Sequence, residues 1–291
     1  MPPLNTINIL AQLKFASHQL KLGTKKAGKG AKEGHSDKYE KDRDKSNDPT
    51  VTPTVMPPMF TPQVAGNPYH LDSCNKIGQN WIDFMNSMLD AVKFAHTMWK
   101  MQAKFKDLQV MAVSAIGSPG CLDGPDLDIK GAPMVASMSG NAAKLRDAVH
   151  KGVSKCFKNW QGQVTIPGLP FYPAFAAFPG PMAPPMPNVP VPLIACVSGK
   201  MTDITVPGTM KDAMVDALDS EIKDKDPEKQ YEAAFDGIDA VLSLAFLMWL
   251  PSQMVMLVLG KGPIPTFAPP YVPVGPVVGG DNIAIPGHLM A

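Results

Sequence analysis

Two long stretches of this 291-residue chain lack almost all charge. Asn159 to Gly199 contains no Asp, Glu, Lys or Arg, and Ala240 to Ala291 carries only Lys261 and Asp281. Cysteine is also scarce. Cys74, Cys121, Cys156 and Cys196 are widely spaced, and none forms a C-x-x-C pair or a Cys/His cluster of zinc-like spacing. That excludes a disulfide framework and predicts free thiols in a reducing cytoplasm. The start of the chain has no basic region followed by an apolar core and a small-residue cleavage site, because Lys14, His18 and Lys21 interrupt it, so no leader is expected. A net charge of +1 excludes a global field that would favour nucleic acid.

Catalytic signatures are missing too. There is no G-x-S-x-G elbow, no phosphate-binding G-x-x-x-x-G-K-[ST], no dinucleotide fingerprint and no H-E-x-x-H. His18, His35, His70, His96, His150 and His288 are scattered singly. Asp123, Asp126 and Asp128 offer oxygen ligands to a hard cation, but their run lacks the Gly and terminal Glu of a calcium loop and reads as a solvated turn. We therefore expect no enzyme, no catalytic residue, no metal and no cofactor.

What the chain has in excess is proline, 31 residues, lying among large apolar side chains. Phe171, Tyr172, Phe175, Phe178, Leu193 and Ile194 share one tract with ten prolines between Pro167 and Pro192. Disordered proline-rich segments are polar, so this one is expected to be ordered, as an extended arm with short β pieces covered by partner subunits. The 19 methionines, on helix faces or in proline tracts, suit packing interfaces.

Periodicity predicts helices over Asn5–Leu22, over about Ser73–Leu108 as a long rod, and over Asn141–Trp160. Thr209 with Asp212 reads as a capping box for a helix lined by Met210, Met214, Leu218 and Ile222, and Asp226-Pro227 as the start of another. Lys21 to Thr50, with nine basic and six acidic residues, reads as a solvated linker, and the proline-punctuated segment carrying Val55, Met56, Met59 and Phe60 as one that docks along a groove. Ala240–Leu259 is long enough to cross a membrane, but Pro251, Ser252 and Gln253 favour a buried helix ending near Trp249, then a strand Met254–Leu259.

The expected fold class is α+β or mainly α: amphipathic helices with extended proline-rich arms, ordered within an oligomer. The segments are an N-terminal helical anchor (1–22), a charged linker (23–52), an extended segment with the long helix and a turn-rich tract (53–140), a helix plus uncharged arm (141–205), and helices plus an apolar arm (206–291). Asp-Ala-Val followed by Trp and a Gly/Pro exit occurs three times, at Asp90 with Trp99, Asp147 with Trp160 and Asp239 with Trp249, which suggests a pseudo-symmetric building block.

Ile116-Gly117-Ser118-Pro119, Ile129-Lys130-Gly131-Ala132-Pro133 and Pro187-Asn188-Val189-Pro190-Val191-Pro192 resemble the punctuation of PAAR-like proteins, which cap spikes of phage tails and contractile injection systems. The resemblance covers about a quarter of the chain, and that family's His and Cys metal ligands have no counterparts in it. It implies a setting, a multi-subunit particle. The expected function is thus a non-enzymatic structural component of a phage-tail-like or virion particle. Its partners would be other subunits; it would be made in the cytoplasm and then join a virion or injection particle. The alternative is a membrane anchor or pore-forming protein inserting near residues 240–259.

Overall fold

The computed structural model describes residues 3–22, 58–61, 68–226, 228–266 and 274–290. The expected linker, Val55, Met56 and Pro227 lie outside them. The elements in chain order are α1 (Asn8–Ser17), α2 (Pro68–Gln102), β1 (Lys104–Phe105), β2 (Gln109–Met111), β3 (Ser114–Gly117), β4 (Leu122–Asp123), α3 (Pro133–Ala136), α4 (Gly140–Gly162) and β5 (Val164–Pro170). There follow β6 (Met182–Pro187), β7 (Val191–Pro192), β8 (Val197–Ser198), α5 (Thr202–Thr205), α6 (Thr209–Ala217), α7 (Ser220–Lys225), α8 (Gln230–Ser252), β9 (Met254–Val255), β10 (Leu259–Pro263) and β11 (Asp281–Ile283). The class is α+β, with every strand pairing antiparallel.

Three long helices, α2, α4 and α8, each end in a tryptophan and then a hairpin. Aligned on Trp99, Trp160 and Trp249, the helices bury the same positions: Ala95, Cys156 and Ala245 four residues earlier, and Val92, Val153 and Leu242 seven earlier. The register continues past the helices. Residues four and six after each Trp are buried (Ala103 and Phe105; Val164 and Ile166; Gln253 and Val255), as are those nine and eleven after (Leu108 and Val110; Leu169 and Phe171; Val258 and Gly260). Burial thus switches from helical to near-alternating spacing at the same point in all three, which is why each helix stops there.

The hairpins repeat the register as well. The residue eleven after each Trp faces Ala115, Asn188 or Asn282 across its own hairpin. That same residue also meets the preceding repeat, two positions before the facing residue: the Phe171 amide donates to the Val113 carbonyl at 2.7 Å, and Gly260 pairs with Met186. The Val110 amide donates to the Gly280 carbonyl at 2.9 Å, which returns the third repeat to the first and closes the ring. Asn282 accepts from the Leu108 amide and donates to the Phe105 carbonyl, both at 2.9 Å. Asn188 does the same for Val258 (2.9 Å) and Val255 (3.0 Å). At the third junction Ala115 pairs with Leu169 by backbone alone.

The side chains stack in layers on the ring's axis. His96, Phe157 and Phe246 form one triangle, with ring centroids 6.0, 5.9 and 5.7 Å apart. Trp99, Trp160 and Trp249 form the next, at 6.1, 6.2 and 5.9 Å. Farther on, Val110, Phe171 and Gly260 meet: a Cβ on Gly260 would lie 2.8 Å from the Phe171 ring and 3.3 Å from Val110. The expected repetition is therefore present, but anchored on the tryptophans. Asp90, Asp147 and Asp239 do not keep one spacing to them and are not equivalent positions.

Other expectations change in detail. The long helix runs from Pro68, where a missing N–H costs nothing, to Gln102, because the chain beyond is claimed by β1 and β2. The capping box is absent: Gly208 (φ 113°) precedes the helix and Thr209 lies inside it. Leu218 is extended, so Ile222 belongs to a separate helix, α7, capped by the Asp219 side chain. The last long helix starts at Gln230, and Asp226 reaches it by accepting from the Tyr231 amide at 3.0 Å. It continues through Pro251 to Ser252, since the partner that proline lacks belongs to the solvent-facing last turn. The expected strand Met254–Leu259 divides into β9 and β10 at Leu257, whose φ is 59°.

The uncharged tract contributes β5 to β8 and covers its own large side chains: Phe171, Phe175, Leu193 and Cys196 are buried within the chain. α1 lies across α8, where Gly237 leaves room for the Ala11 backbone, and Phe15 packs on Phe60 at 5.5 Å. α6 crosses α4 at Gly152, where a Cβ would meet the Met214 backbone at 2.6 Å.

The unequal axial trio makes a test of the repeat. Gly260→Val should destabilise the chain by about 1–3 kcal/mol through overpacking. Phe171→Val in the same chain should recover part of that loss, a non-additivity read by chemical denaturation of both single variants and the double.

Candidate functional site: the uncharged end of the three hairpins

The hairpin tips gather at one end of the ring. The Ala112 amide donates to the Val277 carbonyl at 2.7 Å, the Val278 amide to the Pro263 carbonyl at 3.1 Å, and Met182 pairs with Pro263. Tyr172 follows Phe171, whose amide is already bonded to Val113. This juxtaposition leaves Met111, Val113, Tyr172, Met182, Val274 and Val278 exposed together, from 42% for Val113 to 61% for Met182. Among the described residues of the three hairpins only Lys261 and Asp281 are charged, and they sit 3.8 Å apart as a pair. An exposed apolar surface of this kind on a folded chain marks a contact surface. Prolines 184, 185 and 187 on β6 leave it with few backbone donors, so side-chain contact rather than strand addition suits this end.

The aspartates of the turn-rich tract are spoken for. Asp123 pairs with Lys104 at 3.8 Å and Lys106 at 3.4 Å, Asp126 with Lys158 at 2.8 Å, and Asp128 accepts from the Gly131 amide at 3.1 Å. No group of three or more His, Cys, Asp or Glu suited to a metal occurs among the described residues. A groove of about 270 Å³ lies beside them, lined by Phe94, Met98, Trp99 and Pro125. The four cysteines are free and buried, as expected from their spacing. Burial pushes Cys121 and Cys156 up to about 11 and Cys196 up to about 12, so these thiols stay protonated and unreactive.

The polar groups that sequence reasoning passed over are inside. His96 has no exposure and neither ring nitrogen has a hydrogen-bond partner. Burial, with Lys100 one turn away as a second cause, lowers its pKa to about 3. His288 accepts from the Phe105 amide at 2.8 Å through Nδ1, and burial lowers it to about 4. Gln253 links repeats at the foot of the tryptophan layer: its Oε1 accepts from Trp249 at 3.2 Å, and its Nε2 donates to the Leu289 carbonyl at 3.0 Å. Nothing local in sequence sets these residues apart, because their partners lie 4 to 183 positions away.

Both histidines bind protons more readily in the unfolded chain, with an ordinary value near 6.5, than in the folded one. Their contribution to stability is complete above that value and is lost as pH falls towards 4 and 3. Denaturant midpoints should therefore drop on acidification from pH 6.5 to 4.5. His96→Phe, which copies Phe157 and Phe246, should flatten that dependence by about one proton.

The chain matches no protein-family model, no curated protein and no solved structure.

Proposed function

We propose that the protein is a non-enzymatic structural component of a large multi-subunit particle, phage-tail-like or virion in kind, whose hairpin end seats on a neighbour of three-fold symmetry. The observation that carries this reading is the coincidence of two features: three equivalent hairpins closed around one axis, and an apolar, nearly uncharged end where their tips meet. Three-fold repetition inside one chain offers three similar edges to a trimeric surface, and removal of the apolar tips from water stabilises the contact by about 25 cal/mol per Å². The segments that resemble PAAR-like punctuation agree with this setting. Ala115 to Pro119 and Asn188 to Pro192 occupy equivalent places after the hairpin pairing, and Asn282 to Pro286 occupies the third. Synthesis in a reducing cytoplasm fits four buried free thiols.

The test is incorporation. Met182→Asp with Val274→Asp alters exposed positions only, so the variant should fold with unchanged circular dichroism yet be missing from purified particles or depleted at least tenfold. Lys155→Asp, on the outer face of α4, should be incorporated normally. Native mass spectrometry of the isolated subcomplex should give one copy of this chain per trimer of its neighbour. Equal incorporation of the tip variant, or a one-to-one ratio, would overturn the reading.

A further inference from the structure

We propose that α8 is a conditional membrane helix, released from the helix junction when His96 takes a proton and then inserted into a lipid bilayer. Among the described residues α8 is the one helix long and apolar enough to cross a membrane, with a mean hydropathy of 1.6 over its best window and 78% of that window buried. Burial explains its apolar character in the folded ring, so composition alone does not carry the proposal. The residue that holds it does.

His96 touches α8 more closely than any other ring of its layer, with its centroid 4.5 Å from Trp249 and 5.9 Å from Phe246. The other two repeats fill this position with Phe157 and Phe246, so shape alone asks for a phenyl ring. An imidazole in the same place, with both nitrogens unpartnered, adds one property that phenyl lacks: it can acquire charge. The surroundings make that charge unwelcome from each side. α4 presents Phe157, α8 presents Phe246 and Trp249, and the one titratable neighbour, Lys100 on α2 itself, is also a cation. A protonated His96 is tolerated once the junction opens and water reaches it. Opening therefore becomes more populated on acidification, by up to about tenfold per pH unit below the ordinary histidine value. Leu247 and Met248 of α8 are already about half exposed and give a lipid surface its first contact. Asp239, inside the apolar stretch, is bonded in the closed form by the Gly208 amide and the Ser243 hydroxyl.

This inference is independent of the assembly reading, since it concerns the helix junction and not the hairpin end. Its test uses the full chain with vesicles of phosphatidylcholine alone, so that the growing positive charge of an acidified protein draws no headgroup attraction. Flotation is followed from pH 7 to pH 4, with quenching of tryptophan fluorescence by brominated lipid as the readout of depth. The wild type should stay with the soluble fraction at pH 7, float at the acid end and be quenched there. His96→Phe should remain folded and need at least one further pH unit to float. Leu244→Asp with Leu247→Asp, folded at pH 7, should stay unbound at every pH. The proposal fails if the wild type does not float by pH 4, if His96→Phe floats with an unchanged midpoint, or if the aspartate pair binds as the wild type does.

Discussion

Everything in this ring depends on the contact of three tryptophans, Trp99, Trp160 and Trp249, each within about 6 Å of the other two. An aromatic triangle of that size excludes water from the junction and fixes how far apart the three helix ends stand. The strands that leave those ends then have one spacing at which each can pair with its neighbour. The hairpin register follows from the helices, and the closed ring leaves few free strand edges.

Polar atoms enter this interior only where they complete the ring. Asn188 and Asn282 each bridge a carbonyl and an amide three residues apart on the next repeat, so a side chain takes the place of a rung the twisted strands cannot supply. Gln253 does comparable work beneath Trp249. His96 is the exception, since it sits in the aromatic layer with no such task.

Much of the helical frame was legible in the sequence, because α2, α4 and α8 carry long apolar stripes that no other element matches. The run Ala240–Leu259 was correctly read as a helix interrupted at Pro251 and followed by strand. The uncharged tract was read less well. Its lack of charge suggested an arm for neighbours to cover, whereas Phe171 and Phe175 are covered by β strands from 110 residues away in the chain, and only long-range pairing reveals that. The repeat was visible as three tryptophans with turn-rich exits, but the Asp-Ala-Val triplets misplaced its register. The equivalence rests on burial positions filled by different residues, Ala, Cys and Ala in one row, Val, Phe and Gly in another, so identity of letters is a poor guide to it. The hairpin end was illegible for the same reason: its six exposed residues come from three separate segments.

The row of Val110, Phe171 and Gly260 has one more consequence. A trimer of identical chains must place the same side chain three times on its axis, and the axis then accepts only residues of middling size. A single chain that carries all three copies can give most of the space to one ring and none to another. The sum of the volumes is constrained here, and the individual volumes are free to drift. Sequence divergence between the repeats is then the expected outcome of fusion, not a sign that the symmetry has been lost.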